Sequence, residues 1–183
     1  TIGLDADRAA LLRMLLPVVK ATTGKQAAAV ASEVIEAFGG AGYVEDTGVP
    51  VLLRDSQVLP IWEGTTNVLA LDLLLRVDLE AGLKEYREAL TTACAAANDP
   101  ELRRAADTAR TAFDHAWRWR QATREGPALQ AGARRFILTL GRALGLALLV
   151  EHAAIVIDPA DRAAARAACT RFRQHSVDLI GEA

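Results

Sequence analysis

The chain has 183 residues at 19.5 kDa, room for one domain or two small ones. Its 21 Lys+Arg against 23 Asp+Glu leave a net charge of −2, which gives no overall attraction to nucleic acid or to an anionic membrane. Ala (37) and Leu (25) dominate over 6 Pro and 13 Gly, a composition of packed helices that excludes a sheet protein. The longest stretch free of Asp, Glu, Lys and Arg is the ten residues Ala89 to Asn98. A membrane span needs roughly 18, so none is expected. Cys94 and Cys169 are too few for a disulfide framework or a four-thiolate zinc site, and they read as small core residues. Asp5, Asp7 and Arg8 interrupt any signal-peptide core. Thr1 is not an initiator Met. The expectation is a cytoplasmic, all-α piece of a longer protein.

In chain order, Leu4, Leu11, Leu12, Leu15 and Leu16 predict a first helix over Asp5 to Leu16. Pro17 suits the first turn of a second helix, which runs to about Phe38. Its small residues Ala21, Gly24, Ala28, Ala31 and Ser32 permit close packing. Gly39 and Gly40 end it. Residues 41–64 hold Gly42, Gly48, Pro50, Pro60 and Gly64 and no helical period, which predicts a long irregular loop of the kind that carries function. Helix returns from Thr66. Asp78 caps a helix over about Leu79 to Ala97, Asn98-Asp99-Pro100 opens another to about Arg124, and Gly126-Pro127 one to about Ile157. Asp158-Pro159 starts the last, to about Ile180.

Chemistry is expected around the loop. Gly39, Gly40 and Gly42 let backbone approach a ligand, although a Gly-Gly pair after a helix reads first as a C-cap. No strand is predicted before them, so this is not a dinucleotide fingerprint. Glu63 lies between Trp62 and Gly64, with Thr65, Thr66 and Asn67 opening the next helix. Its apolar flanks make it a candidate for desolvation and general-base work, and the helix start behind it favours an anion. On these residues alone the weightier reading is a first-turn acid complementing the helix dipole, with Thr65 or Thr66 as cap.

Taken together, Glu36-Ala-Phe-Gly-Gly-Ala-Gly-Tyr43, Arg54-Asp55 and Trp62-Glu-Gly-Thr65 resemble, in order and spacing, the C-terminal helical domain of the acyl-CoA dehydrogenase superfamily. The resemblance covers roughly residues 13–75. It implies a helical bundle over residues 1–78 with an appended helical extension over 79–183. It implies Glu63 as the base that removes the α-proton of an acyl-CoA thioester, with the β-hydrogen leaving as hydride to FAD. By the same resemblance Trp62 and Gly64 line the acyl site, and Thr65 and Asn67 contact the FAD diphosphate. Phe38, Gly39 and Gly40 approach the FAD of a neighbouring subunit. A homodimer or homotetramer and an electron-transferring flavoprotein acceptor follow as implied partners. Arg54 and Asp55 read as a local structural ion pair.

Glu36 replaces the family's usual Gln and Trp62 its usual Tyr. With the long extension, these departures resemble the alkylation-response (AidB-like) branch, whose founding member is associated with binding DNA. That branch supplies the alternative function, a flavoprotein scaffold that binds nucleic acid with little acyl-CoA turnover. The family's N-terminal helical and middle β-domains do not precede Thr1, which implies that residues 1–183 alone hold no FAD and turn nothing over.

Charge is uneven. Residues 1–100 carry 8 basic and 14 acidic side chains, residues 101–183 carry 13 and 9, and Arg103 to Arg142 hold nine Arg and three acids. With Trp117 and Trp119 nearby, a basic groove with stacking aromatics is one reading. The favoured one is a solvated stripe of i,i+4 pairs, Arg103–Asp107, Arg110–Asp114 and Asp114–Arg118. Arg120, Arg124, Arg134 and Arg135 lack such partners and are the better nucleic-acid candidates. His115, His152 and His175 have no companion at ligand spacing, so no metal site is expected.

Overall fold

The computed structural model describes residues 5–180, so Leu4 of the first apolar set lies outside it. One helix, α1 (Ala6–Ala37), runs straight through Pro17 where the sequence predicts a break. An interior proline removes a hydrogen bond and clashes with the preceding turn, at about 3 kcal/mol in an isolated helix. Here Met14 and Val18 flank it at 0% exposure, and their burial offsets that cost. Asp5 caps α1 by accepting from the Arg8 N–H at 2.9 Å.

The expected irregular loop is largely helical. It contains α2 (Gly40–Tyr43), a 3₁₀ turn at Glu45–Thr47 and α3 (Val49–Val58), whose N-cap Gly48 sits at φ +72°. The reason α3 escapes a periodicity search is physical. Of its residues only Pro50 is buried, while Val51, Leu52 and Val58 face outward, so this chain supplies no core to impose a 3.6-residue pattern on it.

The remaining elements are α4 (Thr66–Arg76), α5 (Leu79–Ala95), α6 (Pro100–Ala122), α7 (Pro127–Ile155) and α8 (Pro159–Gln174). Asp78, Asp99 and Asp158 cap α5, α6 and α8 through their side chains, as the sequence predicts. The last helix stops earlier than expected. Val177 and Ile180 turn inward, the Leu179 N–H donates to the buried Thr139 hydroxyl at 2.9 Å, and Asp178 Oδ2 lies 2.5 Å from His115 Nδ1. Residues 175–180 therefore lie along α6 and α7 as an extended strap. The His115–Asp178 pairing spans 63 positions, beyond the reach of any local spacing rule.

The fold is all-α, with no strand among the described residues. Helix α7 is its axis, packed by α1, α4, α5, α6 and α8. By length and composition α7 is apolar enough to cross a membrane, contrary to the sequence expectation. In this fold, however, Phe136, Ile137, Leu140, Leu146 and Val150 are fully buried against the other helices. One core runs from Met14 to Ile180. Within it Tyr86 stacks on Phe113 at 5.2 Å and its hydroxyl donates to the Leu140 carbonyl. Burial raises the pKa of both Cys94 and Cys169, which suits inert core thiols.

Helices α1 and α7 meet at Thr22 and Gly141 so closely that a Cβ on Gly141 falls 1.8 Å from Thr22 Oγ1 and 2.8 Å from its Cβ. Gly141→Ala is expected to destabilise the chain by about 1–3 kcal/mol through overpacking. Adding Thr22→Ala, which removes the nearer atom, should recover part of the loss in chemical denaturation.

Candidate functional site

Between α3 and α4 the chain makes a tight turn over residues 59–65. The Ile61 and Trp62 N–H groups donate to the Val58 carbonyl at 2.9 and 2.8 Å, closing its first half. Glu63 then sits at φ +54°, alone among the described non-glycine residues in the left-handed region, and Gly64 follows at φ +113°. Left-handed backbone costs an L-residue about 1–2 kcal/mol, and such positions persist only where the surroundings enforce them. The Glu63 side chain is exposed, so the desolvation expected from its apolar flanks is not supplied by this chain. Those flanks are themselves uncovered, with Ile61 at 62% and Trp62 at 66% exposure.

Two features of α1 meet this turn. Lys20 Nζ donates to the Gly64 carbonyl. One helical turn on, Gly24 lies against the Leu59–Pro60 backbone, where a Cβ would come within 3.2 Å of Leu59 C and Pro60 N. In the sequence Gly24 stands out only for its size, and Lys20 does not stand out at all. A lone lysine in a helix carries no sequence signal of a partner 44 positions away.

Thr65 is the N-cap of α4 but makes no side-chain capping bond, so neither Thr65 nor Thr66 fills the role expected of a cap. Thr66 Oγ1 is buried without a hydrogen-bond partner. Arg134 of α7 reaches Asn67 Oδ1 at 3.5 Å, the long limit of a hydrogen bond. An uncapped helix start and the exposed Arg134 guanidinium form a donor-bearing surface suited to a diphosphate, with the Thr66 hydroxyl buried beneath it. By this test the residues present fit the pyrophosphate portion of a dinucleotide such as FAD.

Phe38, Gly39 and Gly40 are not part of this cluster. Phe38 lies eighteen residues from Lys20, just past the end of α1, with Gly39 and Gly40 next to it, about 27 Å away at 1.5 Å per residue. Phe38 is 58% exposed, and a Cβ on Gly39 or Gly40 would meet nothing within 4 Å. Gly42 differs. A Cβ there would fall 2.1 Å from the Ile35 carbonyl oxygen, so its role is the close return of α2 onto α1. Glu36 is exposed beside this corner.

Arg54 does not pair with Asp55. Successive helical residues point about 100° apart, and Arg54 instead forms a two-pronged bridge to Glu45, at 2.7 and 2.8 Å. It ties the 3₁₀ turn to α3. The Arg54 hydrogen bonds hold the Glu45 carboxyl below its ordinary range, and Glu45 raises Arg54 in turn.

The basic run is also paired differently from the expected stripe. Arg104 bonds Glu101 and Arg110 bonds Asp107, both at i,i+3, while Asp114 pairs across to Arg87 at 2.8 Å. Arg120 and Arg124 line an open cleft of about 300 Å³ with Leu79, Glu80, Leu83, Trp117 and Gln121. Trp119 is committed to packing: it leans on Phe136 and fills the space over Gly132. No cluster of three or more metal-ligating side chains occurs among the described residues.

Because Glu45 is depressed in the folded chain, its contribution holds above the ordinary carboxylate pKa and is lost as pH falls through the lowered folded value. Arg54→Gln is expected to return Glu45 to the ordinary carboxylate range, read from its side-chain carboxyl ¹³C shift in an NMR titration. An unchanged midpoint would mean that the bridge does not persist in solution.

Residues 3–77 match the family profile described as the acyl-CoA dehydrogenase C-terminal domain. Acyl-CoA dehydrogenase family member 11 of Caenorhabditis elegans is 62% identical over 73 residues, which are 39% of this chain and 12% of that protein. AidB of Escherichia coli K12 is 35% identical over 79 residues, 43% of this chain and 15% of its own. The crystal structure of Caenorhabditis elegans ACDH-11 in complex with C11-CoA superposes with a TM-score of 0.82 at 32% identity, over 98% of this chain and 31% of that one. The chain spans a minor part of each protein it matches.

Proposed function

From the match of residues 3–77 to the acyl-CoA dehydrogenase C-terminal domain profile, we propose that the chain belongs to that family and is the C-terminal part of a FAD-dependent enzyme that dehydrogenates an acyl-CoA thioester at the α and β carbons, with Glu63 as base. The observation that carries this reading is the turn: a glutamate kept at φ +54°, its side chain open to a partner surface and flanked by uncovered Ile61 and Trp62. A carboxylate bound into a strained backbone is an expensive feature for a helix cap and a natural one for a base that must be aimed. The C11-CoA in the ACDH-11 complex supports a thioester ligand.

In this scheme the Glu63 carboxylate takes the α-proton as the α C–H bond breaks and the carbon–carbon double bond forms. FAD, when bound, accepts the β-hydrogen as a hydride. Trp62 and Gly64 border the acyl chain. Thr65, Asn67 and Arg134 would hold the diphosphate through the donor surface at the start of α4. Phe38, Gly39 and Gly40, some 27 Å away along α1, serve a second site in a neighbouring subunit, which makes a homodimer or homotetramer part of the proposal. Of the eighteen large apolar side chains exposed among the described residues, fifteen lie between Leu12 and Leu75. A concentration of that kind marks an interface, here with the remainder of the flavoprotein and its subunits. We take residues 1–78 as the catalytic portion and 79–183 as an extension that braces it.

Anaerobic titration of the full flavoprotein with acyl-CoAs of graded length is expected to bleach the visible flavin bands with one length class. Glu63→Gln should slow bleaching by at least about 10²–10⁴-fold, the usual worth of a general base. Bleaching at the parent rate in Glu63→Gln would sink the assignment.

A second reading, nucleic-acid binding on the extension, draws support from one cleft. Arg120 and Arg124 share it with Trp117, a phosphate-and-stacking combination. If it holds, single-stranded DNA binds with an affinity that falls steeply with salt and is weakened in Arg120→Glu/Arg124→Glu. Adding Arg134→Glu/Arg135→Glu should weaken it further. Absent or salt-insensitive binding removes this reading.

A further inference from the structure

The turn that carries Glu63 rests on a single face of α1. Lys20 and Gly24 are one helical turn apart, so they project to the same side. Lys20 reaches the carbonyl of Gly64, at the far end of the turn. Gly24 admits the Leu59–Pro60 backbone at its near end, within a distance that any Cβ would obstruct. Pro60 is buried there, and Leu69 of α4 lies under Gly64, where an added Cβ would be 3.2 Å from Leu69 Cδ2. The two residues at positive φ, Glu63 and Gly64, therefore fall between one anchor that excludes everything but bare backbone and one that grips a carbonyl.

The Lys20 interaction is unusual for a helical lysine. Its side chain is half-buried, and it makes no salt bridge among the described residues. Its ammonium is spent on a backbone oxygen. A charge-assisted bond to a carbonyl is stronger than a neutral one, and this one acts on the peptide group that immediately follows the Glu63–Gly64 bond. Breaking it frees ψ of Gly64 and the left-handed torsions before it, which have no other long-range polar restraint among the described residues.

We propose that Lys20 is a positioning residue for Glu63: through the Gly64 carbonyl, with Gly24 as the steric stop at the other end of the turn, it fixes where the carboxylate sits relative to the reacting carbon. This rests on the assignment of Glu63 as base. Lys20 touches neither substrate nor reacting atoms, so its loss affects rate and leaves binding in place.

In the full flavoprotein, Lys20→Met is expected to slow flavin bleaching by a saturating acyl-CoA on the order of 10²-fold, the cost of misplacing a catalytic group by about 1 Å. The acyl-CoA dissociation constant should stay within about twofold. Lys20→Arg, which retains a cationic donor, should recover most of the rate. Independently of turnover, hydrogen exchange of the backbone amides over residues 59–66 should quicken in Lys20→Met and not in Lys20→Arg. Should Lys20→Met fail to fold or hold flavin, Gly24→Ala decides. Slowed bleaching at unchanged affinity supports the proposal, and the parent rate overturns it. Glu63→Gln runs beside them. If it bleaches normally, the base assignment itself fails. If it is inactive while Lys20→Met bleaches and exchanges like the parent, the positioning role alone is overturned.

Discussion

The contact on which this structure turns is the seat of α1 on α7 and α5. At Thr22 and Gly141 the helices touch with no room for a further methyl. At Gly82 the start of α5 closes on Met14 and on the Ala10 carbonyl, each within 3.3 Å of an added Cβ. These contacts fix α1 along and around its own axis, because a helix whose small residues face its neighbours can neither slide nor roll without collision. The neighbouring side of α1, which carries Lys20 and Gly24, is then a fixed floor. The 59–65 turn, α3 and the start of α4 are laid on it. Helices α5 and α7 lie in the extension, yet they hold the element that holds Glu63. On the proposed division of the chain, that gives the extension a mechanical part in the site, beside the Arg134 hydrogen bond to Asn67 at the start of α4.

Apolar residues are spent differently in the two halves of the chain. From α5 to the strap, Leu and Phe face inward and the exposed large apolar side chains are Leu148, Ile155 and Ile157. Before α5 they face outward in number, with Tyr43 84% exposed and Trp62 66%. On the proposed reading, the remainder of the flavoprotein and its subunits cover that apolar surface. The Arg54–Glu45 bridge has a plain function in such a setting. It ties α3, with almost no core of its own, to the turn before it, so that an outward-facing helix has a defined position before anything covers it.

Much of this was legible in the sequence, and the failures share a cause. Asp78, Asp99 and Asp158 gave away three helix starts because capping is local chemistry within three residues. The Phe-Gly-Gly and Trp-Glu-Gly-Thr segments disclosed the family because motifs, too, are local. Pro17 misled because its local preference was overridden by burial on both sides of it. Helix α3 was missed because Pro50 alone of its residues is buried, which leaves too little inward-facing pattern to read as a period. The pairs Arg54–Glu45, His115–Asp178 and Lys20–Gly64 join positions 9, 63 and 44 apart, and nothing in their immediate surroundings specifies them. Around the 59–65 turn, Glu63 could be singled out from its neighbours in sequence, and the Lys20 contact that holds the turn could not.

That division explains why an acid stands at a position that disfavours it. A glycine at position 63 would adopt φ +54° without penalty, and the turn would close more easily. On the proposed reading the side chain stands there despite the backbone cost because the carboxylate is what the position has to present, and the local conflict is then a mark of function. The same torsion sends the side chain outward, away from the α1 floor, to where Ile61 and Trp62 stand uncovered. On the proposed reading, the surface that covers those two residues also removes water from around Glu63, and a base gains by acting where solvent is excluded. Strain and exposure are then two aspects of one design. The helices of this chain fix the carboxylate in place, and the rest of the flavoprotein supplies the dry environment in which it acts.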